Sequence, residues 1–580
     1  MTSNEKYLFW MQNEYFDNET KEELKKIQGN QSEIEERFYK DLEFGTGGLR
    51  GIIGAGTNRM NIYTVRKASQ GVASSIAKKG EEARKKGIVI AHDPRHMSRE
   101  FAVEAAKVFA GNGIKAYLFD ELRPTPELSF AVRYLNASMG INITASHNPK
   151  EYNGYKVYGE DGGQLPLEES NIVLEEIEKL EDITKVKFIS RDEAEKRGLL
   201  QIIGQEVDNE YITRLKTISI NPELVKKVSD SFKIVYTPIH GTGNKLVRRI
   251  LDEIGFKHVL VVKEQENPDP DFSTVRSPNP ENREAFSIAI ELAKKENVDL
   301  IIGTDPDCDR VGIIVRNQNN EYITLTGNQT GCLMLEYVLS QKKAKGQLPS
   351  NGFVVKSIVS TELAKKIAQN YGIEMIQVLT GFKFIGEKIK LLDEMGDRKF
   401  LFGFEESYGY LAGTFARDKD GVVASMLIAE MAAYYKSRGM SIYEGLLEIY
   451  RKYGYSSETI TSYTLEGKEG IGRIKSTMSS LREDCVVNFS GSGAAVVRDY
   501  LTGTRLDVKT SQKSRLDLPE SDVLYYEMED GSWFCVRPSG TEPKIKIYFG
   551  VSEKDQQTTE MKMNEFKNNV LSVINKLLGK

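Results

Sequence analysis

Residues 298–313, VDLIIGTDPDCDRVGI, set an apolar run directly before three aspartates at alternate positions, Asp305, Asp307 and Asp309. A short apolar run closed by Gly-Thr-Asp-Pro reads as a buried strand that ends in a loop. Three carboxylates in one loop repel each other unless a cation neutralises them. All-oxygen ligands favour Mg²⁺ over zinc, and the C-terminal end of a strand is where open α/β sheets bind ligands. An EF-hand is excluded, because the sixth and twelfth positions counted from Asp305 hold Arg310 and Arg316 instead of Gly and Glu. Two readings stay open on pattern alone: a solvated acidic turn, and an aspartyl-phosphate enzyme with Asp307 as nucleophile and Asp309 as acid.

The run ends a repeated alternation. KIVYTP (233–238), a helix near 244–254, HVLVV (258–262) and a helix near 282–296 precede it. The same order occurs earlier, from GIVIA (87–91) through a helical segment at 99–113 to a strand at Lys115–Phe119. It returns as FVVKSIV (353–359), a helix from Thr361 to Tyr371, MIQVL (375–379), a helix near 384–395 and KFLFGFE (399–405). Three β-α-β blocks predict three α/β domains with mainly parallel sheets. Helices over Val422–Tyr435 and near 442–453 follow. Then SSETITSYTL, VLYYEMED, SWFCVRP and KIKIYFGV, with a terminal helix at 555–578, predict a smaller antiparallel α+β domain. The expected division is 1–205, 206–324, 325–455 and 456–580. No strict sequence period supports a solenoid.

At 580 residues the chain exceeds what one core can organise. Hydrophobic residues at 40% and charged residues at 28% are ordinary globular values. The net charge of −5 arises from 84 acidic and 79 basic residues interleaved along the chain, which excludes a nucleic-acid footprint and a polybasic membrane anchor. A small-molecule ligand is expected. Cys308, Cys332, Cys485 and Cys535 form no C-x-x-C pair, as suits a reducing compartment. The N-terminus lacks a basic region followed by an apolar one, and no segment reaches about 18 consecutive apolar residues. The expected location is the cytoplasm.

Three further loops follow apolar runs. In TASHNPKEYNGYKV (144–157), Ser146 and His147 are adjacent and Lys156 lies ten residues after the serine. The G-x-S-x-G elbow of a lipase is missing. Adjacent side chains on an extended segment point to opposite faces, so His147 is expected to be poorly placed to take the Ser146 proton. VRPSGTEPKIKIY (536–548) offers a guanidinium fork, two hydroxyls and a nest of amides, a cradle for phosphate. GFEESYGY (403–410) offers Glu405 and Ser407 to vicinal sugar hydroxyls. Each stretch alone also reads as an ordinary turn. Together they supply a metal site, a hydroxyl nucleophile, a polyol contact and a phosphate site, one from each expected domain. That set describes phosphoryl transfer on a sugar phosphate.

With these motifs in this order the chain resembles the α-D-phosphohexomutase superfamily, most closely its bacterial-type phosphoglucomutase branch. The resemblance spans nearly the whole chain: TASHNP, D-x-D-x-D-R, G-x-E-x-S and R-x-S-G-T, preceded by FGTGGLRG (44–51). It implies a four-domain, heart-shaped α/β architecture, with three related mixed α/β domains and a C-terminal α+β domain around a central cleft. It also implies a phosphoryl group carried on Ser146, and Mg²⁺ held by Asp305, Asp307, Asp309 and an oxygen of that phosphoserine. Arg50 and Arg310 would steady the reacting phosphate, and Lys156, beside His147 in the same loop region, would be an acid/base. Glu405 and Ser407 would touch the sugar, and Arg537, Ser539, Gly540 and Thr541 would grip the distal phosphate. TGFKF (380–384) matches the third-domain loop with a Phe where some phosphomannomutases carry His, which favours a glucose-type substrate, and Lys383 there would add positive charge. The implied reaction interconverts glucose 1-phosphate and glucose 6-phosphate through glucose 1,6-bisphosphate. The chain is expected to be a monomer or weak homo-oligomer. Alternatives within the family are a phosphopentomutase, a phosphomannomutase and a glucose 1,6-bisphosphate synthase. Outside it stand the phosphatase that uses Asp307 and a catalytically silent sugar-phosphate binder.

Overall fold

The computed structural model describes all residues of the chain except 46, 466, 484–492, 540–542 and 580. It divides into two compact units, the first comprising 1–327 and 382–442, the second 328–381 and 443–580.

The first unit contains two mixed sheets. One has the strand order Gly48–Ile52, Tyr152–Gly159, Met139–Ile143, Ile88–His92, Ala116–Phe119, Leu200–Ile203. Its last four strands run parallel and its first two pair antiparallel. The central strands Ile88–His92 and Met139–Ile143 are buried at every position, because helices cover both faces. The second sheet has the order Tyr322–Thr324, Val311–Arg316, Leu300–Thr304, Lys233–Thr237, His258–Val261. Here Leu300–Thr304, Lys233–Thr237 and His258–Val261 are parallel, and the other two joins are antiparallel. The unit also holds the antiparallel hairpin Lys399–Glu405 with Gly409–Leu411.

The sheets keep the parallel core that the β-α-β blocks predict and add antiparallel strands to it, for one physical reason. A parallel return needs a crossover of a dozen or more residues, and a short connection forces the next strand back antiparallel. The connections 144–151, 305–310 and 406–408 are all short. These three loops, read as chemical in the sequence, are therefore turns of antiparallel pairs. Gly154 shows how tight this packing is: a Cβ there would come within 2.5 Å of Thr144 O and 2.9 Å of Leu49 O, on the two neighbouring strands' sides.

Three helices, Ser3–Gln12, Asn18–Lys26 and Gln31–Phe38, precede the first sheet. They close over an aromatic cluster in which Trp10 stacks on Phe16 at 4.3 Å between ring centroids.

In the second unit, Gly352–Ser357 and Glu374–Val378 pair in parallel. A seven-stranded antiparallel sheet runs Tyr455–Thr464, Lys544–Glu553, Trp533–Pro538, Leu524–Met528, Ala494–Asp499, Thr504–Asp507, Gln512–Arg515. Helices Gly467–Glu483 and Gln556–Leu577 bury Met478, Phe566, Val570 and Ile574 against it, as the α+β expectation requires. Among the described residues no helix is long and apolar enough to cross a membrane. Cys308, Cys332 and Cys535 are buried; Cys485 lies outside the described residues.

Candidate active site

Ser146 follows the buried strand Met139–Ile143, and its backbone turns left-handed there, with φ +53°. Its N–H donates to Thr144 Oγ1 at 2.8 Å, closing the turn. This conformation corrects the expectation for His147. The segment is not extended, and His147 Nδ1 comes within 3.2 Å of Ser146 Oγ. Burial, with the Arg310 and Arg50 guanidiniums, holds the imidazole well below its ordinary pKa, so it is neutral near pH 7.

The Ser146 hydroxyl donates to Asp305 Oδ2 at 2.8 Å, which joins the serine loop to the aspartate loop of the other sheet. Asp305, Asp307 and Asp309 are each at most 2% exposed. Each can offer an oxygen within 4.8 Å of the others. Burial and the two neighbouring carboxylates push Asp305 well above the usual carboxylate range. Burial also raises Asp307, but the ammonium of Lys156 together with hydrogen bonds from Asp305 and Thr125 outweighs it and keeps Asp307 well below that range. Asp307 Oδ1 and Asp309 Oδ1 are buried without a hydrogen-bond partner among the described residues. Buried carboxylate oxygens left unpaired beside like charges are what a divalent cation satisfies, so the triad suits a metal ion.

Cations surround the triad. Lys156 Nζ lies 2.8 Å from Asp307 Oδ2 and 3.7 Å from Asp309 Oδ2. Burial lowers its pKa, and the aspartates more than restore it, so Lys156 is an ammonium here. Arg310 Nη1 donates to Glu281 Oε1 at 2.5 Å, and Arg50 Nη1 donates to Asn148 Oδ1 at 3.4 Å. Strand register explains the placement: Arg50 faces Gly154, and Lys156 faces Gly48 on one side and Asn142 on the other. Glu405 is 4% exposed, and its loop joins the metal loop through a backbone bridge between Arg310 and Gly409. Ser407 is half-buried in the same loop. Lys383 is the second residue of the helix Phe382–Met395, with its ammonium 5.1 Å from the Phe384 ring centroid, and burial lowers its pKa.

Arg537 and Ser539 belong to the second unit, at the end of Trp533–Pro538, where Ser539 N–H donates to Lys544 O at 2.8 Å. Gly540 and Thr541 lie outside the described residues.

Several partners were not found by motif reading. Lys419 Nζ lies 3.2 Å from both Asp309 and Asp418, and Glu405 adds to the field that keeps it protonated against burial. Thr125 donates to Asp307 Oδ2 at 2.8 Å and accepts from Asn142 at 2.6 Å. Arg95 binds the serine loop from beneath. The signal for Lys419 was present as RDKDG (417–421) after the sugar loop, whereas Thr125 and Arg95 have no local sequence signature.

Comparison with known proteins gives the frame for this geometry. Residues 41–184, 209–319 and 326–453 match the phosphoglucomutase/phosphomannomutase alpha/beta/alpha domains I, II and III, and 494–567 match the C-terminal domain of the same family. The chain belongs to the phosphoglucomutase/phosphomannomutase family. It is 38% identical over 562 residues to a phosphoglucomutase of Staphylococcus epidermidis, covering 96% of this chain and 99% of that one. A Staphylococcus aureus phosphoglucomutase is 38% identical over 545 residues, covering 93% of this chain and 95% of that one. Two crystal structures share the fold of this family member. One is the Paramecium phosphoglucomutase pp63/parafusin in its open form, with TM-score 0.68, 18% identity and coverage of 93% and 95%. The other is a phosphoglucomutase/phosphomannomutase family protein of Burkholderia thailandensis, with TM-score 0.63, 17% identity and coverage of 91% and 97%.

Proposed function

We propose that the chain is a phosphoglucomutase, an isomerase that interconverts glucose 1-phosphate and glucose 6-phosphate by way of phospho-Ser146 and glucose 1,6-bisphosphate. The observation that carries this reading is the Ser146 hydroxyl, 2.8 Å from Asp305 within a buried aspartate triad. Near full-length identity of 38% to phosphoglucomutases supports it.

In the first half-reaction the Oγ–P bond of phospho-Ser146 breaks and Oγ gains a proton, while a bond forms from phosphorus to O6 of glucose 1-phosphate and the O6 proton leaves to a base. The bisphosphate then turns end for end. Ser146 Oγ attacks the O1 phosphoryl group, the P–O1 bond breaks, O1 gains a proton and glucose 6-phosphate departs.

Asp305, Asp307, Asp309 and an oxygen on Ser146 would hold Mg²⁺, which supplies charge neutralisation and alignment for in-line displacement. Arg50 and Arg310 hold the phosphoryl oxygens, because fixed guanidiniums match their geometry. Lys156, an ammonium in this arrangement, suits proton donation to a departing oxygen. Neutral His147, at 3.2 Å, suits acceptance of the Ser146 proton when that hydroxyl attacks. Glu405 and Ser407 bind ring hydroxyls reachable in both orientations of the sugar. Arg537, Ser539, Gly540 and Thr541 take whichever phosphate is distant, and Lys383 adds positive charge. Four domains, 1–205, 206–324, 325–455 and 456–580, would each supply one loop. The state expected is a monomer or weak homo-oligomer, and the buried cysteines suit the cytoplasm.

Assay of the purified protein with glucose, mannose and ribose 1-phosphates in Mg²⁺ tests the reading. It predicts the highest kcat/KM with glucose 1-phosphate; a preference for ribose or mannose 1-phosphate would move the chain to another branch of the family.

A further inference from the structure

Near the candidate active site, Arg95 directs its hydrogen bonds to the backbone of the serine loop and its ion pair to Asp93, while Asp305 and Asp307 act on it only through their charge. Its side chain is fully buried. Nη2 donates to Ser146 O at 2.5 Å and to Asn148 O at 2.6 Å, and Nη1 donates to Pro149 O at 2.8 Å and Tyr152 O at 3.1 Å. Three carbonyls of the serine loop and that of the first residue of the following strand thus converge on one guanidinium.

Its own position is fixed from two sides. Asp93, also fully buried, lies 3.1 Å from Nε and accepts from Arg95 N–H at 2.9 Å and Ser98 Oγ at 2.7 Å. The Phe272 ring, from the 267–282 segment of the neighbouring domain, lies 5.0 Å from the guanidinium carbon. The same segment ties down the rest of the loop: Asp271 accepts from Lys150 at 3.1 Å, with His96 at 3.2 Å, and Ser277 Oγ donates to His147 O at 3.4 Å.

We infer that Arg95, backed by Phe272, is the positioning residue that holds the Ser146 turn in register with the aspartate loop. The inference rests on the reading of Ser146 as phosphoryl carrier. A serine in the left-handed region is strained and persists only where its surroundings over-determine it. The Arg95 fork does so, since it grips the turn at Ser146 and again at Asn148, Pro149 and Tyr152. A planar guanidinium with five donors can span four carbonyls, whereas a lysine ammonium has three donors at one point. Both half-reactions use the same Oγ, so a shift of the turn of about 1 Å would slow each of them by about 10²-fold. Arg95 lies beneath the loop, where it cannot touch substrate, and its loss acts on kcat and leaves substrate binding alone.

The test is R95K, with F272L as a second variant that keeps the guanidinium. R95K is expected to lower kcat for glucose 1-phosphate by about 10²-fold with KM within about twofold of wild type. F272L is expected to lower kcat several-fold, again with KM unchanged. In a crystal structure of R95K, Ser146 is expected to leave the left-handed region. Unchanged kcat in either variant, a KM that rises in proportion, or an unmoved Ser146 turn would overturn the inference. Should R95K fail to fold, F272L kinetics decide alone. Wild-type enzyme inactive on all three sugar phosphates would count against the mutase reading, and the Ser146 geometry in R95K would still decide the role of Arg95.

Discussion

At Ser146 the backbone explains more than the neighbouring side chains do. Its left-handed turn brings Oγ to Asp305 and lets His147 approach, and an extended chain would separate the two side chains. The identity of Ser146 was legible from its motif, but its φ was not, because serine gives no local sign of a left-handed conformation as glycine would. A β-branched residue tolerates that region poorly. Ser146→Thr keeps a hydroxyl and is predicted to lower kcat at least tenfold, with destabilisation of about 1–3 kcal/mol by thermal melting. Wild-type stability in this variant would show that the turn carries no strain.

At the scale of elements, the strands were readable and their directions were not. The runs 298–305 and 399–405 show apolar strand patterns, but the antiparallel return follows from loop length, a relation between two strands. The helix Gly421–Ser437 carries a second consequence. Its N-cap Asp420 is 1% exposed and accepts from Val422 N–H and Val423 N–H, both at 2.9 Å, and from Tyr211 OH at 2.8 Å. Burial raises its pKa to about 6, against the lowering effect of those hydrogen bonds. The folded state thus binds this proton more tightly than the unfolded chain, so the contribution of Asp420 to stability is full below about pH 4 and is lost as pH rises through about 6. Asp420→Asn keeps the cap and removes the titration. Its stability relative to wild type is predicted to rise by about 2 kcal/mol from pH 4.5 to pH 7 and then level off, at about 1.4 kcal/mol per pKa unit, as read by thermal melting at each pH. A constant difference across that range would contradict the assignment.

For the whole molecule, the four-domain order was legible because each domain carries its own motif loop. Arg95 and Thr125 were hidden because their partners lie 51 and 182 residues away in sequence, a distance that only tertiary structure closes. The buried triad also links metal to global stability. A ligand at about 100 times its dissociation constant stabilises by ~2.7 kcal/mol, so saturating Mg²⁺ is predicted to raise the melting temperature of the wild type. Asp305→Asn removes the carboxylate most disfavoured by its neighbours and is predicted to melt higher than wild type without metal and to lose the Mg²⁺ response. A retained response would place the metal elsewhere. Most direct is mass spectrometry of the enzyme after incubation with glucose 1-phosphate whose phosphoryl group carries heavy oxygen. Labelled phosphate on Ser146, stable to hydroxylamine, is the predicted result; hydroxylamine-labile phosphate on Asp307, or no label on Ser146, would contradict the account.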